Sequence, residues 1–124
     1  MPSDLIPDDV REFIIRHIDS VAQFEALMLL RGSADQQWDV PAVAKRLYTS
    51  EEVAAEALGR LTDDGFLKLE NESYRYTCDP ERRAAVDRAA AVYARQLISV
   101  TRLIHAQPRR IRQFADAFRF RKDR

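Results

Sequence analysis

This 124-residue sequence lacks most of the groups on which catalysis or metal binding is built. A lone cysteine, Cys78, excludes an internal disulfide and any metal site made of several thiolates. Its two histidines, His17 and His105, are far apart in sequence and form no ligand pair by spacing, so a core-edge or surface position fits each better. The three glycines, Gly32, Gly59 and Gly65, stand alone, and no glycine-rich loop is available to cradle a phosphate. Apolar runs are short: the densest, residues 24–30, is interrupted by Glu25 and falls far below the roughly 18 residues of a membrane span. The opening Met-Pro-Ser-Asp has no basic-then-apolar export pattern, which leads to the expectation of a cytoplasmic protein. Carboxylate pairs do occur at Asp8-Asp9, Glu51-Glu52 and Asp63-Asp64, but each falls at a helix end, where capping and the helix dipole account for it. No enzymatic activity, metal or cofactor is expected.

What the chain does have is enough apolar content to fold, 46% hydrophobic residues against 32% charged, and a charge asymmetry hidden inside a net charge of zero. Residues 1–78 carry 15 acidic and 8 basic side chains; residues 79–124 carry 5 acidic and 12 basic ones. Such a split fits a basic tail that seeks nucleic acid or a membrane, and equally two parts of one molecule, or of two subunits, that attract each other.

Helical signals dominate. Pro7 suits a first helical position, Asp8 and Asp9 complement the dipole, and Val10, Phe13, Ile14 and Ile18 recur at helical spacing. Ser20 with Gln23 matches a capping box ahead of a densely apolar helix that stops at Gly32. Asp39 caps a short helix with Val43, Ala44 and Leu47. Thr49 with Glu52 matches a second capping box, and the following helix, residues 50–64, turns Val53, Ala57 and Leu61 inward. Residues 66–70 and 74–78 alternate apolar and polar around Asn71-Glu72-Ser73, which predicts a hairpin with a three-residue turn. Asp79-Pro80 then starts a helix that nothing in residues 81–106 interrupts, roughly 40 Å long if straight. Beyond Pro108, Ile111, Phe114, Ala115 and Phe118 form an amphipathic set among basic residues.

This order, with Val40-Pro41-Ala42-Val43-Ala44-Lys45-Arg46-Leu47, Thr49-Ser50-Glu51-Glu52-Val53, Ala57-Leu58-Gly59-Arg60-Leu61 and Asp64-Gly65-Phe66-Leu67, resembles the winged helix-turn-helix family of bacterial transcriptional regulators. The resemblance covers residues 20–78. It implies a mainly α fold with a winged helix-turn-helix core and two-stranded β wing (residues 1–78), a long C-terminal helix (79–107) and a short basic amphipathic tail (108–124). Ala44 would be the small residue where two helices cross, with Leu47, Val53 and Leu61 in their shared core.

The resemblance implies a small DNA-binding regulator, with Thr49, Ser50, Arg60, Lys68 and Arg75 as candidate contacts and Arg109, Arg110 and Arg112 of the tail adding nonspecific attraction. Regulators of this kind commonly pair through a C-terminal helix. The heptad seam Val86, Ala90, Tyr93, Leu97, Val100 and Ile104 is the candidate homodimer interface, against the alternative that it folds back on Val10, Phe13 and Ile14 of its own chain. The surface chemistry of residues 50–64 points elsewhere. Their outward side, Glu52, Ala55, Glu56, Gly59 and Asp63, offers a DNA major groove neither donors nor cations. The second reading is therefore a protein-interaction module in which Glu52, Ala55, Glu56 and Gly59 receive a basic partner. For the tail, packing on the acidic first half is favoured over nucleic acid, and a membrane surface is the least favoured of the three.

Overall fold

The computed structural model describes residues 6–106; the tail, including Arg109, Arg110 and Arg112, lies outside the described residues. The fold is mainly helical with one two-stranded antiparallel sheet. Helices α1 (Asp8–His17) and α2 (Val21–Gly32) are followed by α3 (Val40–Leu47) and α4 (Glu51–Asp63). Strands β1 (Leu67–Glu70) and β2 (Ser73–Tyr76) come next, and α5 (Pro80–Arg95) and α6 (Leu97–His105) complete the described chain.

Local chemistry starts and stops these helices. Pro7 proves to be the residue just before α1, with Asp8 and Asp9 in the first turn. The Ser20 side chain accepts from the Gln23 N–H at 3.1 Å. Gln23 in turn accepts from the Asp19 N–H at 2.8 Å and donates to the His17 carbonyl at 2.7 Å. That amide, almost wholly buried, satisfies the backbone where α1 gives way to α2. Asp39 and Asp79 cap α3 and α5 as their sequence positions predict, accepting from Ala42 and Arg82 N–H. The cap of α4 is Ser50, not Thr49: its hydroxyl accepts from the Val53 N–H at 3.1 Å.

One apolar core runs through every helix. Phe24, Leu27 and Leu30 of α2 meet Ala54, Leu58 and Leu61 of α4, and Val43 and Ala44 of α3 close on the same side. Val53 departs from expectation. It is 40% exposed, and the inner face of α4 is Ala54, Ala57, Leu58 and Leu61. Spacings of three and four place that quartet on one stripe, while Val53 falls at its edge.

The hairpin pairs Leu67 with Tyr76 and Glu70 with Ser73, leaving only Asn71 and Glu72 in the turn rather than three residues. Both have positive φ, 51° and 65°, the geometry of the two-residue turn whose twist matches that of the strands. Asn is enriched in this region, whereas Glu occupies it at a cost. Replacing Glu72 with glycine should therefore raise stability by a few tenths of a kcal/mol to about 1 kcal/mol in urea unfolding. Trp38 adds a rudimentary third strand, exchanging backbone hydrogen bonds with Tyr74 at 2.8 and 2.7 Å. Tyr74 and Tyr76 share the inner strand face, Tyr76 buried and Tyr74 half-buried against the core.

The single long C-terminal helix is the largest correction. The helix breaks at Gln96 (φ −129°, ψ 50°), although no proline or glycine stands between residues 81 and 106. The reason is tertiary. Helices α1 and α2, of 10 and 12 residues, are only about 15 and 18 Å long, and a straight rod of some 40 Å would overshoot them. The bend returns α6 to α1 and α2, where Val100 and Ile104 are buried. On α5, which packs along α1, Val86 of the seam is buried together with Ala89 and Val92, which lie one position off it, while Ala90 and Tyr93 are half-buried.

Candidate functional site: the outward face of α4 and its surroundings

Helix α4 is fixed from behind. Asp64, the residue that ends it, is held twice: its carboxylate lies 3.2 Å from His17 Nδ1, and its carbonyl accepts from Arg82 Nε at 3.0 Å. Arg82 also reaches Asp79 at 2.7 Å, and the hydrogen bonds from Arg82, the backbone one first, hold the Asp79 carboxyl below its ordinary range. Gly65 follows at φ +89°, where a Cβ would lie 3.2 Å from Arg82 Nε. Replacing Gly65 with alanine combines a left-handed backbone with that close approach and should lower stability by about 1–2 kcal/mol, read from the urea midpoint.

With its rear anchored, α4 presents Glu52, Ala55, Glu56 and Asp63 to solvent, as the sequence predicts; Gly59, expected with them, is half-buried, and Glu51 is exposed as well. Val53 joins them. Arg60, the one basic residue of α4, is turned aside to Asp19 at 3.3 Å and to Glu56 at 3.7 Å. Ser50 spends its hydroxyl on the helix cap, and Thr49 is half-buried. None of the three candidate contacts around α4 therefore places a cation on its outward face. In the hairpin, Lys68 lies opposite Arg75 in the strand register, with Lys68 paired to Glu70 at 3.5 Å.

A Cβ added at Gly59 would meet nothing within 4 Å, so no neighbour among the described residues requires glycine there. Glycine inside a helix costs about 0.5–1 kcal/mol relative to alanine. Replacement of Gly59 by alanine should thus raise stability by that amount, measurable as a higher urea midpoint.

Sequence reasoning passed over Tyr48. It ends α3 in the left-handed conformation (φ 56°), with its side chain 96% exposed immediately before α4. Glycine or asparagine is the usual occupant of such a position, and the exposed tyrosine ring offsets little of the backbone cost by packing among the described residues. The available signal was positional: one large aromatic in the three residues between the end of α3 and the start of α4.

The seam residues are distributed differently. Val86, Val100 and Ile104 are buried within the single chain, so they have no area left to offer a second one. Ala90 is half-buried. Tyr93 stacks edge-on against Phe24 at 4.8 Å and donates to the Glu25 carboxylate. Leu97 alone of the six remains exposed, at 53%, beside Ile98 at 65%. The fold-back on Val10, Phe13 and Ile14 is the arrangement observed.

Two phenols are shielded. Burial first, then the neighbouring Glu25 carboxylate, pushes Tyr93 above its ordinary range; burial and then the Cys78 thiol do the same to Tyr76. A phenol raised on folding contributes stability that is complete below its unfolded value of 10.0 and is lost as pH climbs through the folded value. Stability should therefore fall above about pH 10, and Tyr93→Phe should flatten that fall in urea unfolding curves taken across the alkaline range.

Among the described residues no group of three or more His, Cys, Asp or Glu is arranged to hold a metal ion, and no helix is long and apolar enough to cross a membrane. Compared with protein-family models, with curated proteins and with solved structures, the chain matches none.

Proposed function

We propose that this chain is a winged-helix module that works by binding a protein, with α4 as its docking surface and a basic amphipathic segment as its partner. The carrying observation is that the exposed side of α4 displays Glu51, Glu52, Glu56 and Asp63 while its only cation, Arg60, is bound to Asp19 and Glu56. Four carboxylates facing a phosphate backbone would repel it, whereas a basic protein surface is attracted and oriented by them. Tyr48, Val53 and Ala55 supply apolar area beside that charge. Gly59 adds an open spot where another backbone can come close. Support for a winged helix comes from the helix order, from the hairpin after α4 and from the Trp38–Tyr74 bridge that gives the hairpin its third strand.

Calorimetric titration of the full chain with a lysine-rich amphipathic helical peptide tests this reading. Binding should weaken with added salt and should fall in Tyr48→Gly, a substitution that relieves the left-handed backbone and so leaves the fold at least as stable. Equal binding by wild type and Tyr48→Gly would refute the docking surface.

A DNA-binding regulator is the second reading, favoured by one observation: the strand register sets Lys68 and Arg75 opposite each other on the outer side of the hairpin. On this reading the hairpin would touch phosphates and the pairing of two chains would use Leu97 and Ile98, the exposed apolar residues at the α5–α6 bend. A Leu97→Asp variant should then drop from dimer to monomer mass in light scattering. An unchanged mass would remove the two-fold arrangement on which operator recognition depends.

A further inference from the structure

The two edges of the sheet differ. On β2, Tyr74 exchanges backbone hydrogen bonds with Trp38, so that edge is occupied. On β1 the direction of each peptide group follows from the turn. A two-residue turn makes Glu70 and Ser73 a hydrogen-bonded pair, and such pairs alternate along an antiparallel ladder. Lys68 and Arg75 form the next one, and the bond from the Thr77 N–H to the Phe66 carbonyl continues the series. The N–H and C=O of Leu69 therefore point away from β2, with no backbone partner among the described residues. Its side chain is 49% exposed and adds apolar surface to that open edge.

A lysine on an edge strand ordinarily blunts self-pairing, because two copies would set like charges against each other. Lys68 stands in that place, but Glu70 follows it on the same strand face, and both are exposed. A two-fold antiparallel pairing centred on Leu69 sets Lys68 of each chain directly opposite Glu70 of the other. The two Leu69 residues then face each other and exchange two backbone hydrogen bonds across the axis. Centring the axis on Lys68 or on Glu70 would instead bring two lysines or two glutamates face to face, which is unfavourable. Within the chain, Lys68 already has the like-charged Arg75 as its cross-strand neighbour. Glu70 of a second copy supplies the opposite charge on its other side.

We propose that the β1 edge pairs with the β1 edge of a second copy, in the register centred on Leu69. The two hairpins, each a two-stranded sheet, then form one continuous antiparallel sheet. Lys68-Leu69-Glu70 is its own complement when met antiparallel, and that selects a second copy of this chain as the occupant. With a strand of four residues the contact is small, and the association is weak and concentration-dependent. It uses neither the outward face of α4 nor Leu97 and Ile98, so it can fail without either reading above failing.

Light scattering of the full chain at concentrations up to about 1 mM tests the proposal. The mass should rise toward that of a dimer. Lys68→Glu and Glu70→Lys each act twice in a two-fold contact, and each alone should weaken association about tenfold or more. An equimolar mixture of the two variants should regain it, because every facing pair is then opposite in charge. The doubly substituted chain should regain it for the same reason, and Leu97→Asp should associate as wild type does. Both substituted positions are exposed, so urea unfolding of the variants should match wild type and separate a lost contact from a lost fold. Wild type that keeps a monomer mass throughout, single variants that associate as wild type does, a mixture that stays monomeric, or a dimer abolished by Leu97→Asp would each overturn it.

Discussion

Replacing Phe66 with alanine will remove about 3–5 kcal/mol of stability, a large part of what a domain of this size possesses. Phe66 is fully buried and is the residue through which α4 passes into the hairpin. Its N–H bonds the Leu61 carbonyl at 2.9 Å and its carbonyl accepts from Thr77 at 3.2 Å, so the ring is fastened at both ends. It also contacts Phe13 and His17 of α1, which ties the hairpin side of the molecule to the opposite helix. Truncation opens a cavity among rigid rings that cannot collapse to fill it. In the same strand region, Leu69 is half exposed, and Leu69→Ala should cost under about 1 kcal/mol. Urea unfolding of the two variants with unchanged slopes checks the contrast. Equal losses would mean that Phe66 is not the anchor described.

The second large effect concerns α4. Glu52→Lys combined with Glu56→Lys reverses the charge at the centre of the exposed face without touching a buried residue. Glu56 lies 3.7 Å from Arg60, but an exposed pair of this kind contributes little, about 0–1 kcal/mol, and Asp19 retains Arg60 at 3.3 Å. Folding should be nearly unaffected. Binding of a lysine-rich amphipathic peptide should fall by a hundredfold or more, on the order of 3 kcal/mol, because two attractions become two repulsions across the same contact. The same variant should gain affinity for duplex DNA, since lysines now face the groove. A peptide affinity unchanged by the double substitution would place the partner elsewhere.

Much of the fold was legible because its determinants are local. Asp39 and Asp79 announce helix starts by side-chain chemistry that acts within three residues, and the alternation through Leu67, Leu69, Tyr74 and Tyr76 marks two strands without reference to anything distant. The outward, acidic character of α4 was readable for the same reason: Glu52, Ala55 and Glu56 fall on one side of any helix drawn through them. Three features were not local. Val53 and Ala54 are adjacent apolar residues, and only the position of α2 decides which one is covered. The break at Gln96 has no residue-level signal, because it answers the length of α1 and α2 rather than the propensity of its own neighbours. The meeting of Phe66 with Phe13 and His17 of α1 joins residues far apart in sequence, which periodicity cannot detect.

Tyr48 and Glu72 belong to a different class. Both are non-glycine residues at positive φ in exposed turns, where local propensity and the adopted conformation disagree. Such conflicts are found where function constrains a residue or where a turn is set by its flanking elements. Glu72 fits the second account, since the strand register alone forces the turn. Tyr48 has no such register to force it, its ring is exposed, and the docking surface proposed above would be the use for it.

The most direct measurement is an amide chemical-shift titration of the isotope-labelled full chain, once with a lysine-rich amphipathic peptide and once with duplex DNA from its own upstream region. If α4 is a protein-docking surface, amides of Tyr48 and of α4 will move with the peptide and stay in place with the duplex. Duplex DNA that shifts the α4 amides, while the peptide leaves them unmoved, would contradict it.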